Sequence, residues 1–290
     1  MPAVDQADTD RIGFIGGGHM AHALIAGLLR QGLPAGRICV GEASAPARAA
    51  LARDFNVTVS ADNAAAVSGA ALVVLAVKPQ DALAVLRELQ GQWGADTVLL
   101  SIAAGLPVEA LAQACAAAIP IVRAMPNRAA LVGAGITALY APSRVGPPQR
   151  ARAERIGAAA GRTVWVRSEA ELDVVTALSG SGPAYFFLLA ERLAQAATAL
   201  GLPADTATLL AVQTLHGAGL LAQRAAAADG TALGRALAEE RRAVTSRGGT
   251  TEAALRVLAE GGFDALVAQA LQAAAARAAE LAEGPHAPDP

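Results

Sequence analysis

Aromatic residues make up only 3% of this 290-residue sequence and charged residues 17%, while 54% is hydrophobic. A chain so poor in charge and so rich in apolar side chains is excluded from the disordered class, which cannot bury enough surface to offset its ordering entropy. With so few rings, alanine, leucine and valine must fill the core. The two cysteines, Cys39 and Cys115, exclude a disulfide framework and a cysteine metal cluster. No Lys/Arg run stands out and the net charge is −2, which excludes a nucleic-acid backbone as the main partner. The segment Met1–Arg11 is short and acidic, unlike a secretory signal. The longest uncharged stretches, Val174–Ala190 and Thr206–Gln223, contain Gly182-Pro183 or Gln213, Thr214 and His216. They read as buried helices, not membrane spans, and a cytoplasmic protein is expected. One scarcity points the other way. Lys78 is the only lysine among 23 basic side chains. Either it survived a general bias toward arginine by chance, or its position needs a compact ammonium that a planar guanidinium does not mimic.

What the sequence does have is a change of rhythm. Up to about Ser168, short apolar runs alternate with alanine-rich helical stretches such as Ala21–Arg30, Ala45–Asp54 and Asp81–Gln90. Strands are expected at Arg11–Ile15, Arg37–Val40, Val57–Val59, Leu72–Val77, Val98–Ser101, Pro120–Arg123, Ile136–Tyr140 and Thr163–Val166. Fully apolar strands between helices imply a mostly parallel α/β sheet covered on both faces. From Glu169 to Glu283 the periods are helical and long, with breaks at Ser179–Pro183, Gly201–Pro203 and Arg247–Gly249. Two domains are therefore expected, residues 1–168 and an all-helical 169–290, with Gly284–Pro290 as a disordered tail.

The first strand runs into Gly16-Gly17-Gly18-His19-Met20-Ala21 and then a helix, a G-x-G-x-x-A turn in the strand-to-helix context that dinucleotide binding requires. Glycine allows the tight turn and lets the backbone approach a pyrophosphate at the helix N-terminus. This assigns residues 1–168 to the Rossmann type. His19 and His22 form an H-x-x-H, but no acidic or cysteine partner completes a site and no metal is expected. Glu42 follows the second strand, where a carboxylate normally hydrogen-bonds the adenosine ribose and disfavours a 2′-phosphate. Two like charges about 4 Å apart repel by up to roughly 4 kcal/mol at an effective dielectric near 20. NADH is the favoured cofactor on this reading, unless the side chain turns into solvent.

Ile12–Leu24, Leu72–Gln80 (LVVLAVKPQ), Ser101–Gly105 (SIAAG), Arg123–Asn127 (RAMPN), Asp173–Tyr185 (DVVTALSGSGPAY) and Val244–Leu255 (VTSRGGTTEAAL) occur in this order. Together they resemble the pyrroline-5-carboxylate reductases, which carry out the last step of proline synthesis, over roughly Arg11 to Leu281. The resemblance implies an NAD(P)H-dependent reduction of the C=N bond of Δ1-pyrroline-5-carboxylate. It assigns the pyrophosphate to the loop of Ile15, Gly16, Gly17, Gly18, His19, Met20 and Ala21, and the adenosine ribose to Asn63. Ala76, Val77, Lys78 and Pro79, with Ala103, Ala104 and Gly105, would line the cofactor, and Asn127 would lie near its nicotinamide end. Ser246, Gly248, Gly249, Thr250 and Thr251 would bind the substrate, at a helix start whose free N–H groups suit a small carboxylate. The Thr251 hydroxyl would contact the ring nitrogen and is the candidate catalytic group, although threonines there also suit helix capping. The helices around Gly180-Ser181-Gly182-Pro183 would build a homodimer, with a larger assembly of dimers open.

Four features depart from the family's usual pattern: His19, Glu42, the pair Arg128-Ala129 where Thr-Pro is usual, and Arg247 where proline is usual. Drift in an arginine-rich genome, or a larger or six-membered cyclic imine as substrate, would account for the last two, and a pairing of Arg247 with the substrate carboxylate is a further reading of Arg247 alone. The alternatives are a reductase of another cyclic imine or a non-catalytic dinucleotide-binding regulator. The β-hydroxyacid dehydrogenases share the two-domain plan but use a lysine from the helical half, and this chain has none beyond Lys78.

Overall fold

The computed structural model describes residues 10–228 and 233–283. The expectations for the acidic N-terminal segment and the C-terminal tail fall largely outside them. Eight strands form one sheet in the order β3-β2-β1-β4-β5-β6-β7-β8. They are β1 Ile12–Ile15, β2 Ile38–Gly41, β3 Thr58–Ser60, β4 Leu72–Leu75, β5 Val98–Ser101, β6 Ile121–Met125, β7 Gly135–Tyr140 and β8 Gly161–Trp165. All eight lie within two residues of their expected bounds. Every pairing is parallel except β6 with β7, where Arg123 stands opposite Tyr140. The order reverses between β1 and β4, Ile12 pairing with Ile38 on one side and with Leu72 on the other. An open sheet binds ligands at the carboxyl ends of its strands at such a point.

Helices cover both faces. They are α1 His19–Arg30, α2 Ala45–Phe55, α3 Asn63–Val67, α4 Pro79–Glu88, α5 Val108–Cys115 and α6 Pro147–Ala158. Alternate residues of one strand accordingly enter two different cores. Leu72 and Val74 of β4 pack with Leu24, Leu28 and Ile156, whereas Val73 and Leu75 pack with Leu86, Leu111 and Ile119. Burial pushes the Cys115 thiol up to about 12, so it is a protonated core residue at neutral pH.

The helical half comprises α7 Glu171–Val175, α8 Gly182–Ala199, α9 Ala204–Ala228, α10 Leu233–Ala243, α11 Thr250–Glu260 and α12 Phe263–Glu283. The strands end at Trp165 and these helices begin at Glu171, whereas compactness divides the chain after Ser181 and again after Gln272. Residues 273–283 return to the first unit, leaving Gly182–Gln272 as the second.

Two expectations are corrected here. The chain does not break at Ser179–Pro183: the Ser181 N–H donates to the Thr176 carbonyl at 2.8 Å, five residues back, giving one π-turn before the helix continues. Gly180 closely approaches a residue of β6, since a Cβ there would lie 2.7 Å from Met125 Cε. The stretches Val174–Ala190 and Thr206–Gln223 are helical yet not buried. Phe186, Phe187 and Leu189 of α8 and Leu209, Leu210 and Val212 of α9 are all exposed. Two long helices shield only one stripe of each other, which leaves these apolar side chains as an uncovered surface among the described residues. The run Glu171–Ala199 is also apolar enough to cross a bilayer by length and composition, with a mean hydropathy of 1.3 in its most apolar window.

Candidate active site

The glycine turn is built by a collision that only glycine avoids. Gly16 has φ +94°, and a Cβ on it would stand 2.8 Å from the Ala76 carbonyl oxygen and 2.9 Å from Val77. Its N–H donates to Gly41 O at 2.8 Å, while Ala76 N–H donates to Ile15 O at 2.8 Å. The ends of β1, β2 and β4 are thereby drawn together. Gly18, the N-cap of α1, has ordinary backbone angles, and a Cβ there would meet nothing within 4 Å. The first intrahelical bond of α1 is His22 N–H to Gly18 O, so the N–H groups of His19, Met20 and Ala21 precede it, and no side chain caps them. The first turn carries no acidic residue. Open space, uncapped donors and the positive end of a helix dipole fit a pyrophosphate.

Glu42 has a more definite role than its position after β2 implied. Its Oε2 accepts the Gly17 N–H at 2.8 Å and its Oε1 accepts the Ser44 N–H at 2.8 Å. Arg48 Nη1 donates to the carbonyls of Glu42 and Ala43 at 2.6 and 2.7 Å. The carboxylate is thus fastened between the glycine turn and the β2–α2 connection and does not swing into solvent. Asn63, the first residue of α3, lies over Gly41, where a Cβ would collide with its side chain. Gly41, Glu42 and Asn63 are therefore neighbours.

Lys78 is the exposed N-cap of α4, followed by Pro79 at the first helical turn. Ala103, Ala104 and Gly105 follow β5, with Ala103 buried and Ala104 exposed. Gly105 has φ +73°, and a Cβ there would be 3.2 Å from the Leu281 carbonyl oxygen of α12. Asn127 follows β6, and its Oδ1 accepts the Ile136 N–H at 3.2 Å. Arg128 is exposed and opens the 3-10 segment Arg128–Val132. His22, the second histidine of the H-x-x-H pair, places its Nδ1 3.1 Å from Gly18 O and its ring edge-on to Phe55 at 5.4 Å.

Within the second unit, α11 starts at Thr250 with Gly249 as N-cap and no side-chain capping bond. The threonines are therefore not caps, which corrects that part of the expectation, and their hydroxyls stay available. Two expected donors are already engaged: Gly248 N–H donates to Glu252 Oε2 at 2.6 Å, and Gly249 N–H to Ser246 O at 3.0 Å. The N–H groups of Thr250 and Thr251 precede the first intrahelical bond, Ala253 N–H to Gly249 O. Arg247 is exposed in the same turn.

Sequence reasoning missed the node formed by Arg123 and Glu169. Arg123 Nη1 lies 2.8 Å from Glu169 Oε1, which also accepts the Val108 N–H at 2.7 Å. An arginine inside the apolar strand IVRAM was the available signal.

Residues 169–281 match the family described as pyrroline-5-carboxylate reductase dimerisation, and residues 11–105 match NADP oxidoreductase, coenzyme F420-dependent. The chain is 45% identical to a pyrroline-5-carboxylate reductase of Pseudomonas aeruginosa, over 95% of this chain and 98% of the relative. It is 42% identical to that of Mycobacterium tuberculosis, over 93% and 96%. A solved pyrroline-5-carboxylate reductase of Coxiella burnetii superposes with a TM-score of 0.88 at 39% identity, covering 95% of this chain and 100% of its own.

Proposed function

Because the chain belongs to the pyrroline-5-carboxylate reductase family, we propose that it reduces the C=N bond of Δ1-pyrroline-5-carboxylate to give L-proline. The observation that carries this reading is identity of 45% over nearly the whole length of both chains. The working unit is a homodimer, in keeping with the dimerisation module at residues 169–281. Larger assembly of dimers and a cytoplasmic location complete the proposal.

When bound, NAD(P)H would supply a hydride to the carbon of the protonated C=N bond; the π pair would move to the nitrogen that already carries the proton, giving a neutral secondary amine and NAD(P)⁺. The chain's own part is binding and orientation. The N–H groups of His19, Met20 and Ala21 hold the pyrophosphate, and Asn63 with Glu42 takes the ribose. The segments Ala76–Pro79 and Ala103–Gly105, with Asn127, flank the rest of the cofactor. Thr250 and Thr251 offer their free N–H groups to the substrate carboxylate, and the Thr251 hydroxyl contacts the ring nitrogen. Holding two reactants in near-attack geometry is worth roughly 7–11 kcal/mol.

The matched family description names NADP, yet the fastened Glu42 carboxylate supports a preference for NADH. Steady-state oxidation of NADH and NADPH with Δ1-pyrroline-5-carboxylate tests both readings. Wild type should turn over faster, by kcat/KM, with NADH. Glu42→Ser should shift the ratio toward NADPH by at least about tenfold, within the limit of roughly three decades set by the charge repulsion. A wild-type preference for NADPH sinks the role of Glu42, and no imine-dependent oxidation with either cofactor sinks the reductase reading.

A further inference from the structure

We propose that Glu169 is a positioning residue for the Ala103–Gly105 segment, with Arg123 as the group that holds it in place. This rests on the cofactor reading of that segment given above. One carboxylate oxygen, Glu169 Oε1, accepts from both Val108 N at 2.7 Å and Arg123 Nη1 at 2.8 Å. Val108 is the first residue of α5, and the N-cap before it, Pro107, makes no side-chain hydrogen bond. Proline also has no N–H of its own. The start of α5 is therefore capped from a distance in sequence, by a residue beyond the last strand.

The segment between Ser101 and Val108 is fixed at both ends. At its start, Ile102 N–H donates to Leu75 O at 3.1 Å. At its end stands Glu169. Between them Gly105 takes φ +73°, a conformation open to glycine, so the path of the turn depends on where its ends are pinned.

The choice of a charged pair needs a reason. The Arg123 side chain is only 8% exposed, and its strand neighbours Ile121, Val122 and Ala124 are buried apolar residues. A buried ion pair is seldom better for stability than an apolar pair of the same volume. Its distinctive yield is direction. Arg123 lies beside Ser101 in the sheet register and four residues before Asn127. The same oxygen thus ties the middle of β6, the start of α5 and the entry to the helical half.

Direct titration of the full-length dimer with NADH and NADPH, followed by the fluorescence of the bound reduced cofactor, tests this. It is paired with imine KM and thermal melting. Glu169→Ala should raise the cofactor Kd about tenfold while the imine KM stays within about twofold. Glu169→Gln should hold the Kd within about threefold of wild type, because its amide oxygen still accepts from Val108. A wild-type Kd in Glu169→Ala overturns the proposal. So does a loss in Glu169→Ala that spreads equally to imine KM and is not recovered by Glu169→Gln, since that marks general damage. If Glu169→Ala fails to fold, Arg123→Met decides. A Kd raised at least about threefold with unchanged imine KM supports the proposal, and an unchanged Kd overturns it. Wild-type protein that binds neither dinucleotide overturns the cofactor reading itself, whereas wild-type binding left unaltered by the variants overturns only the positioning role.

Discussion

Gly16→Ala is expected to weaken dinucleotide binding by at least about a hundredfold while the protein still folds. An L-residue at φ +94° costs roughly 1–2 kcal/mol, and the new methyl also presses on the Ala76 carbonyl, so about 3 kcal/mol falls on the turn. The strain displaces Ala76 and Val77 in the next loop as well as the turn itself. Gly18→Ala is the natural comparison. Its Cβ would meet no protein atom and its backbone is ordinary, so the melting temperature should stay within about 2 °C. Affinity for the cofactor should nevertheless fall, because the methyl enters the space where the pyrophosphate approaches the helix. Cofactor titration beside thermal melting separates the two. A Gly16→Ala protein with wild-type affinity would refute the close-approach account.

The second large effect lies in the helical half. Leu189→Glu combined with Leu210→Glu should turn the dimer into a monomer and remove activity. Both leucines line an apolar groove of about 500 Å³ between α8 and α9, with Phe186, Leu193 and Leu215 around them. In the single chain Leu189 is 44% and Leu210 53% exposed, so the substitutions cost the monomer little. In a covered interface each unpaired carboxylate costs several kcal/mol, and every 1.4 kcal/mol is tenfold in Kd. Light scattering across a dilution series reads the mass directly. An undiminished dimer would place the interface on another face of these helices.

The sheet was legible because its signals are local. Runs such as LVVL and VLLS carry β-branched and apolar residues on both faces, and helices between them imply a buried parallel sheet. The glycine turn was legible for the same reason, since strand, glycines and helix are contiguous. The antiparallel placement of β7 was not, because alternation along a strand does not reveal which way its neighbour runs. Nor was the exposure of α8 and α9, since an apolar helix face does not say whether its own chain or another covers it. The partners of Glu42 were hidden by distance: Gly17 is far away in sequence and offers only a backbone N–H. In the turn before α11 the sequence shows threonines able to cap, but the N-cap position falls on Gly249, one residue earlier.

The return of the last helix to the first unit bears on how this protein is made. Leu281 lies against Gly105, and residues 273–283 belong with the unit that holds the sheet. A unit closed by contacts so distant in sequence completes its folding slowly, because the long-range pairing must form before it is rewarded. During synthesis the strands emerge first, but the turn at Gly105 meets Leu281 only after the 176 residues from one to the other (281 − 105) have also emerged. The nascent chain therefore exposes its α8 and α9 faces before the nucleotide-binding unit is complete, and pairing with a second copy competes in time with that closure.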